Sequence, residues 1–237
     1  VREAPPLPAP PGPPPLPAPP GPPGPPPLPG PPASGANACQ GKVLLADDFK
    51  ALDKSWESPL GEPMKPLEVE GGKLKIKAPK GQLYLTLHRD RQIENADICV
   101  IVQTPTSYQP LSNDTTVGGI VFLAKDEKNW HAFTVDNAGE AVLLDFVDGK
   151  IRTWSSLPVP GMAASPGSKN RLRVNIVRFK EPTEGEAVIL DVNGKTIMQA
   201  KYSAAKGGGM VGLAVVAQDV QANEWKFIDF KVTEAPR

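Results

Sequence analysis

The chain has few of the residues on which metal and redox chemistry depend. Its 237 residues include two cysteines, Cys39 and Cys99, and two histidines, His88 and His131. Two thiols are too few for a structural zinc site, and no Cys-x-x-Cys pair is present. We therefore expect neither a structural zinc nor dithiol redox chemistry.

An excess of charge of either sign is also absent. Lys and Arg number 26, Asp and Glu number 26, and the formal net charge is zero. Such a chain has no global field to gather nucleic acid or anionic lipid. No apolar run approaches the roughly 18 residues that a membrane-spanning helix needs. The sequence thus predicts no nucleic-acid partner and no membrane span.

The sequence further lacks the short motifs of common catalytic sites. It contains no Gly-x-Ser-x-Gly, no His-Glu-x-x-His, no phosphate loop and no EF-hand loop. Its densest acidic run, residues 181–186, includes Pro182 and Gly185 and is predicted to be a solvated turn. These absences favour a protein that is not an enzyme, although they leave the question open.

Proline, by contrast, is abundant and localised. Of the 30 prolines, 19 fall within residues 1–32. Residues 4–12 and 13–21 form a nine-residue repeat with one substitution, which corresponds to three turns of polyproline II helix. We predict a polyproline II arm over residues 1–35 and one folded domain over residues 36–237.

The arm has too few large apolar side chains to build a core, since Leu7, Leu16 and Leu28 are the only ones. These leucines share one edge of a polyproline II helix. Collagen is excluded because glycine does not recur at every third position. Three roles stay open: a stiff spacer, a peptide that docks in an aromatic groove, and a tether that binds a protein partner through the leucines.

Strand signals dominate from residue 42 onward. Asp148-Gly149 and Asn193-Gly194 each separate two strand-like runs and are typical of tight hairpin turns. About a dozen such runs, with no helical periodicity, predict an antiparallel β-sandwich or jelly roll. In residues 170–176 apolar and polar side chains alternate, which predicts one core face and one wet face. Residues 211–217 have no polar side and predict a strand covered on both faces.

The two cysteines allow two interpretations. Cys39 precedes the first strand and Cys99 lies within a later one. A disulfide between them implies an oxidising, extracytoplasmic compartment; the alternative is two buried free thiols. We favour the disulfide. Because the chain begins at Val1 rather than Met, we also expect that a leader has been removed or that the chain has been trimmed.

A series of motifs then resembles a known family. They are Asp47-Asp48-Phe49, Gly71-Gly72-Lys73-Leu74, Ala96-Asp97-Ile98-Cys99-Val100, Gly118-Gly119-Ile120-Val121-Phe122, Val192-Asn193-Gly194-Lys195, Gly208-Gly209-Met210-Val211-Gly212-Leu213 and Trp225-Lys226-Phe227-Ile228-Asp229-Phe230-Lys231-Val232. In this order they resemble secreted proteobacterial domains of the concanavalin A-like lectin/glucanase superfamily, near a domain-of-unknown-function group named for keto-disaccharide hydrolases. The resemblance spans roughly residues 38–234 and implies a concanavalin A-like β-sandwich.

The resemblance also implies where chemistry would lie. Retaining glucanases of this fold carry a Glu-x-Asp-x-x-Glu strand, which this chain lacks. Related folds often hold a structural calcium between the first and last strands, where Asp48 (or Asp47) and Asp229 stand. A sugar-binding face needs aromatic rings with polar neighbours. The candidates for it are Tyr108, Trp130, His131 and Trp154.

These observations predict a non-catalytic, extracytoplasmic binding or accessory module. Its ligand class by resemblance is glycan, and its arm would tether it to a larger assembly in the periplasm, the envelope or outside the cell. One alternative is a structural subunit that makes protein contacts within an envelope complex. The other is a glycoside-acting hydrolase. No cofactor is expected beyond the structural calcium.

Overall fold

The fold consists of strands and turns. The computed structural model describes residues 39–57, 67–79, 81–106, 116–178, 186–202, 208–217 and 223–235. No helix occurs among these residues. The described ranges contain fifteen strands: β1 Val43–Asp47, β2 Trp56–Glu57, β3 Leu67–Val69, β4 Leu74–Ala78, β5 Gln82–Ile93, β6 Ala96–Gln103, β7 Thr116–Asp126, β8 Asn129–Asp136, β9 Glu140–Val147, β10 Lys150–Pro158, β11 Lys169–Arg178, β12 Glu186–Val192, β13 Lys195–Tyr202, β14 Gly209–Ala217 and β15 Asn223–Glu234.

The strands form two antiparallel sheets, as the sequence predicts. Sheet A has the order β13-β12-β11-β6-β15-β4-β3, and β1 also pairs with β15. Sheet B has the order β10-β9-β8-β7-β14-β5-β2. The last two strands of the chain therefore lie inside the two sheets, β14 between β7 and β5 and β15 between β6 and β4.

The two strongest turn predictions are confirmed. Asp148 and Gly149 join β9 to β10 with φ angles of 52° and 75°. Asn193 and Gly194 join β12 to β13 with φ angles of 51° and 80°. Consecutive positive φ angles match the right-handed twist of the flanking strands, and Asp, Asn and Gly adopt them at low cost.

The main apolar core lies between the sheets. Side chains alternate along each strand, so one set points toward the opposite sheet. On β6 this set is Ile98, Val100 and Val102, and on β11 it is Leu172, Val174 and Ile176, all at most 1% exposed. The predicted apolar side of residues 170–176 is thus confirmed as core.

The opposite side of β11 differs from the prediction. Arg171 is exposed, but Arg173 and Asn175, expected on a wet face, are buried. The Arg173 guanidinium bonds Asp97 at 2.7 Å and Asp191 at 2.8 Å, on the two strands that flank β11. The sequence interpretation was wrong for these two residues, because Asp97 and Asp191 compensate the Arg173 charge and the Asn175 amide donates to Asp97 at 2.7 Å.

Strand β14 is covered on both faces, as predicted. All of residues 211–217 are buried. Val211, Leu213 and Val215 point into the main core, whereas Ala214 and Val216 belong to a second apolar cluster on the outer face of sheet B. A strand in this position needs apolar residues throughout.

Cys39 and Cys99 form a disulfide, which confirms the favoured interpretation. Cys99 alternates with the core residues Ile98 and Val100, so it lies on the outer face of sheet A. The bond ties the residue that precedes β1 to β6, the central strand of that sheet. Disulfides persist in oxidising compartments, so the bond fits an extracellular protein.

Removing this disulfide should destabilise the domain substantially. The bond closes a loop of 60 residues, for which chain-entropy arguments give about 4 kcal/mol. We expect the Cys39→Ala/Cys99→Ala double variant to lose about this free energy of unfolding in urea denaturation. Reductant should destabilise the wild type and leave the double variant unchanged; a wild type that is equally stable with and without reductant would contradict the assignment.

Candidate functional site

Trp130, one of the predicted ligand contacts, lies on the outer face of sheet B but is buried. Its exposed fraction is 1%, and its ring stacks on Phe146 with centroids 4.6 Å apart. The indole Nε1–H donates to the Glu127 carbonyl at 3.2 Å. A ligand at the surface cannot stack on this ring, so Trp130 drops out of the candidate site.

The remainder of this outer face is also apolar. Its residues form one cluster that is shielded from solvent. Trp154 packs at the edge of this cluster, where β10 pairs Trp154 with Leu144 of β9, and it is half-buried. The buried members are Leu85, Leu87, Val117, Val121, Ala124, Trp130, Ala132, Val142, Leu144, Ala214 and Val216.

His131, which follows Trp130 in β8, points the other way, into the space between the sheets. Its Nδ1 lies 2.7 Å from Oδ1 of Asp145 on β9, and the two residues are directly opposite in the strand register. Tyr202 of β13 approaches from sheet A, with its ring centroid 4.3 Å from that of His131. These three side chains, which we call the His–Asp–Tyr cluster, bring together residues 71 positions apart in sequence.

Hydrogen bonding centres this cluster on the Asp145 carboxylate. The imidazole Nδ1–H donates to it, and the Tyr202 hydroxyl donates to it as well. Burial, followed by the neighbouring Asp145 charge, raises the pKa of Tyr202 well above its ordinary value. Tyr202 therefore keeps its proton and stays a donor to Asp145. His131 and Asp145 remain partly exposed, with 24% and 23% of their side-chain surface accessible.

A buried acid lies beside the cluster. Glu186 of β12 pairs directly with Tyr202 of β13, and it is fully buried. Neither carboxyl oxygen has a hydrogen-bond partner. Burial raises the pKa of Glu186; the nearby Arg178 opposes this effect and Glu94 adds to it. The buried Glu186, whose ionisation is disfavoured, thus lies at the inner end of the His–Asp–Tyr cluster.

Asp136 is a second buried carboxyl group with a raised pKa. Burial raises its pKa, and the charge of Glu140 adds to the effect. Its Oδ1, however, accepts the backbone N–H groups of Ala138 and Glu140, each at 2.8 Å. Both bonds close the turn between β8 and β9, so Asp136 acts as a structural cap for this turn.

The residues predicted to bind calcium share one open groove of about 540 Å³, together with Asp47, Lys50 and Asp53. Asp48 forms an ion pair with Lys50 at 2.6 Å, and this hydrogen bond lowers the pKa of Asp48. Each carboxylate oxygen of Asp47 accepts one hydrogen bond, Oδ1 from the Phe49 N–H and Oδ2 from the Trp56 indole. No set of three or more His, Cys, Asp or Glu side chains suited to a metal exists within the described ranges. The fit to calcium thus rests on Asp48 and Asp229 alone, and calcium stays a prediction.

Two further predicted features lie outside the described residues: Tyr108, and the arm with Leu7, Leu16 and Leu28. Among the residues that the structure does describe, no helix is long and apolar enough to cross a membrane.

Comparisons with known proteins place the fold. No protein-family model and no curated protein matches the chain. Among solved structures, the carbohydrate-binding module CBM66 of Bacillus subtilis is 13% identical, with a TM-score of 0.54 over 76% of this chain and 96% of that one. The Bacillus licheniformis β-glucanase is 9% identical, with a TM-score of 0.56 over 82% and 99%. The carbohydrate recognition domain of Emp47p is 13% identical, with a TM-score of 0.55 over 86% and 98%.

These neighbours show that the chain has the concanavalin A-like jelly-roll fold that the motifs imply. At 9–13% identity the similarity concerns the fold, and the chemistry has to be argued from this chain's own residues.

The buried acid provides a pH-dependent test of the inner end of the cluster. In the wild type, ionisation of Glu186 opposes folding as the pH rises through its raised pKa, and this penalty disappears below the ordinary value of 4.5. Glu186→Gln cannot ionise, so we expect it to raise the Tm by a few degrees at pH 8 and by less than about 1 °C at pH 4. The matched control is the exposed Glu127→Gln, which should show no such difference. An equal shift at both pH values would refute the argument.

Calcium binding in the acidic groove is tested by thermal unfolding. We expect calcium chloride to raise the Tm of the wild type relative to a chelator, because a ligand that binds only the folded state stabilises it. Asp229→Asn should abolish this rise, whereas Asp126→Asn, a turn residue elsewhere, should preserve it. A wild-type Tm that is the same in calcium and in chelator would remove the calcium prediction.

Proposed function

We propose that this chain is a non-catalytic, extracytoplasmic binding module that recognises carbohydrate and is tethered to a larger assembly by its proline-rich arm. Its placement near the secreted group named for keto-disaccharide hydrolases is part of the proposal. The observation that supports it best is the combination of a carbohydrate-binding-module fold, matched over 96% of that module, with the roles of Asp136 and Asp48, which serve as a turn cap and an ion-pair partner rather than as an acid and a nucleophile.

The location outside the cytoplasm is supported by the disulfide. Glutathione and thioredoxin keep cytosolic thiols reduced, so a structural disulfide favours the periplasm, the envelope or the exterior. The tether is supported by the arm's composition, which favours an extended polyproline II spacer.

Glycan recognition is tested with the full chain on a glycan array and in polysaccharide pull-downs. We expect saturable binding to at least one soluble or insoluble polysaccharide, without release of reducing sugar during prolonged incubation. The heat-unfolded chain serves as the control for non-specific adsorption. Absence of binding to every glycan would eliminate the carbohydrate proposal, and release of reducing sugar would favour the hydrolase instead.

The tether is tested by deleting residues 1–32. Because the arm lacks the apolar side chains of a core, the deletion should leave the Tm within about 1 °C of that of the full chain. The same deletion should abolish co-purification of partner proteins from the envelope fraction. A variant with Leu7, Leu16 and Leu28 changed to alanine keeps the arm's length and should also lose the partner. Undiminished co-purification after the deletion would show that the arm is not the tether.

A further inference from the structure

On the inner face of sheet B, side chains become more accessible to solvent toward the edge strand β10. In the central strands the inward-facing side chains are buried, as for Ile120 of β7 and Val135 of β8. The register places Thr153 of β10 opposite Asp145 of β9, and Asp145 opposite His131 of β8. Thr153, Asp145 and His131 form a polar row on one face, and all three are partly accessible.

Strand β13, at the edge of sheet A, lies opposite this polar row and forms the other side of the surface. Strand β13 ends sheet A as β10 ends sheet B. Its Tyr202 shares a face with Glu186, Val188 and Leu190 of β12, and this face points into the sandwich. The contact of the Tyr202 ring with His131 therefore joins the two edges across the space between the sheets.

The exposed atoms of this surface mainly accept hydrogen bonds. An Asp carboxylate has about four lone-pair positions, of which His131 and Tyr202 occupy two. The imidazole Nδ1–H donates to Asp145, so Nε2 is the ring nitrogen left for a ligand. The Tyr202 oxygen and the Thr153 hydroxyl can each accept another bond. A matching ligand must present several donors close together.

The same side chains are held rigidly from behind. Phe122 of β7 is fully buried and contacts both rings, at 5.8 Å from His131 and 5.6 Å from Tyr202. Glu186, which is fully buried, lies beside Tyr202 on the neighbouring strand. A set of polar groups fixed by packing and by mutual hydrogen bonds loses little freedom when it binds, which favours affinity.

We propose that the surface between β10 and β13 binds a neutral sugar ring through Asp145, His131, Tyr202 and Thr153. Adjacent hydroxyls of a sugar present the closely spaced donors that these acceptors require, and the rim of the Tyr202 ring provides apolar contact. This inference rests on the proposed carbohydrate function and names the site of recognition. It places that site on the inner side of β10, opposite to the face that carries Trp154.

Histidine NMR provides the first test, because the chain has only two histidines. The ring signals of the full chain are followed during titration with glucose, galactose, mannose, fructose and xylose. At least one sugar should shift the His131 signals in a saturable way, while the signals of the buried His88 stay unchanged. Glucosamine should cause no larger shift than glucose, since a preference for it would mean that the site recognises a cation and not a neutral sugar.

Point variants provide the second test, using the polysaccharide that binds most tightly on the array. Asp145→Asn should weaken binding about 10- to 100-fold, because it removes a charged acceptor. Tyr202→Phe should weaken it by up to about tenfold. The matched control is Tyr84→Phe, which removes a tyrosine hydroxyl from β5, near the edge of sheet B opposite to β10. This variant should bind as the wild type does. The Tm of each variant verifies that it is folded.

The outcomes separate this inference from the proposed function. If the wild type binds a glycan but Asp145→Asn and Tyr202→Phe bind it within twofold of the wild type, the site lies elsewhere and the inference is wrong. Loss of binding in Trp154→Ala alone would move the site to the outer face of sheet B. If the wild type binds no glycan and no sugar shifts His131, the carbohydrate function itself fails. Should a variant not fold, the His131 titration of the wild type decides alone.

Discussion

The packing of Trp225 against Gly118 joins the two sheets at their centre, and much of the architecture depends on it. Trp225 of β15 is completely buried, and its indole Nε1–H donates to the Thr116 hydroxyl of β7 at 3.0 Å. A Cβ atom at Gly118 would lie 2.6 Å from the indole ring, so only glycine allows this approach. The contact fixes the spacing of sheets A and B at the point where their middle strands face each other. The Gly-Gly pair of β7 therefore has a packing role, and it also lets β8 lie close, since a Cβ at Gly119 would meet the Phe133 carbonyl at 2.2 Å.

The chain order makes both sheets depend on the C-terminal strands. Strands β14 and β15 follow each other in sequence, yet each is inserted between two strands formed much earlier in the chain. Neither sheet is continuous until they are in place. Contacts of this kind carry a large loop-closure cost, which makes the folding of all-β domains slow compared with helical ones. The same arrangement places β10 and β13 at the outer edges of their sheets, and this is why the His–Asp–Tyr cluster can combine a buried inner end with an accessible outer one.

Local patterns predicted most of the fold and only part of the site. The Asp148-Gly149 and Asn193-Gly194 turns, the apolar side of β11 and the apolar β14 are short-range signals, and each is present in the structure. His131 was a predicted candidate, but its partners were not, because Asp145 meets it through strand pairing and Tyr202 through the packing of one sheet on the other. Trp130 misled for the opposite reason: its burial depends on Phe146 and on an apolar cluster drawn from several strands, neither of which a local sequence window contains. Arg173 misled similarly, since its charge is compensated by Asp97 and Asp191 on other strands.

The position of the disulfide has a mechanical consequence. A tension applied to the chain before Cys39 does not reach β1 first, because the covalent bond carries it directly to Cys99 in β6. If it reached β1, that five-residue strand could peel from β15 one hydrogen bond at a time. Strand β6 is instead held on both sides, by eight paired residues of β11 and seven of β15. A force that enters at β6 is shared between the hydrogen-bond ladders to β11 and β15. Both ladders must break together before β6 can leave the sheet, so the domain resists a pull on its N-terminal end.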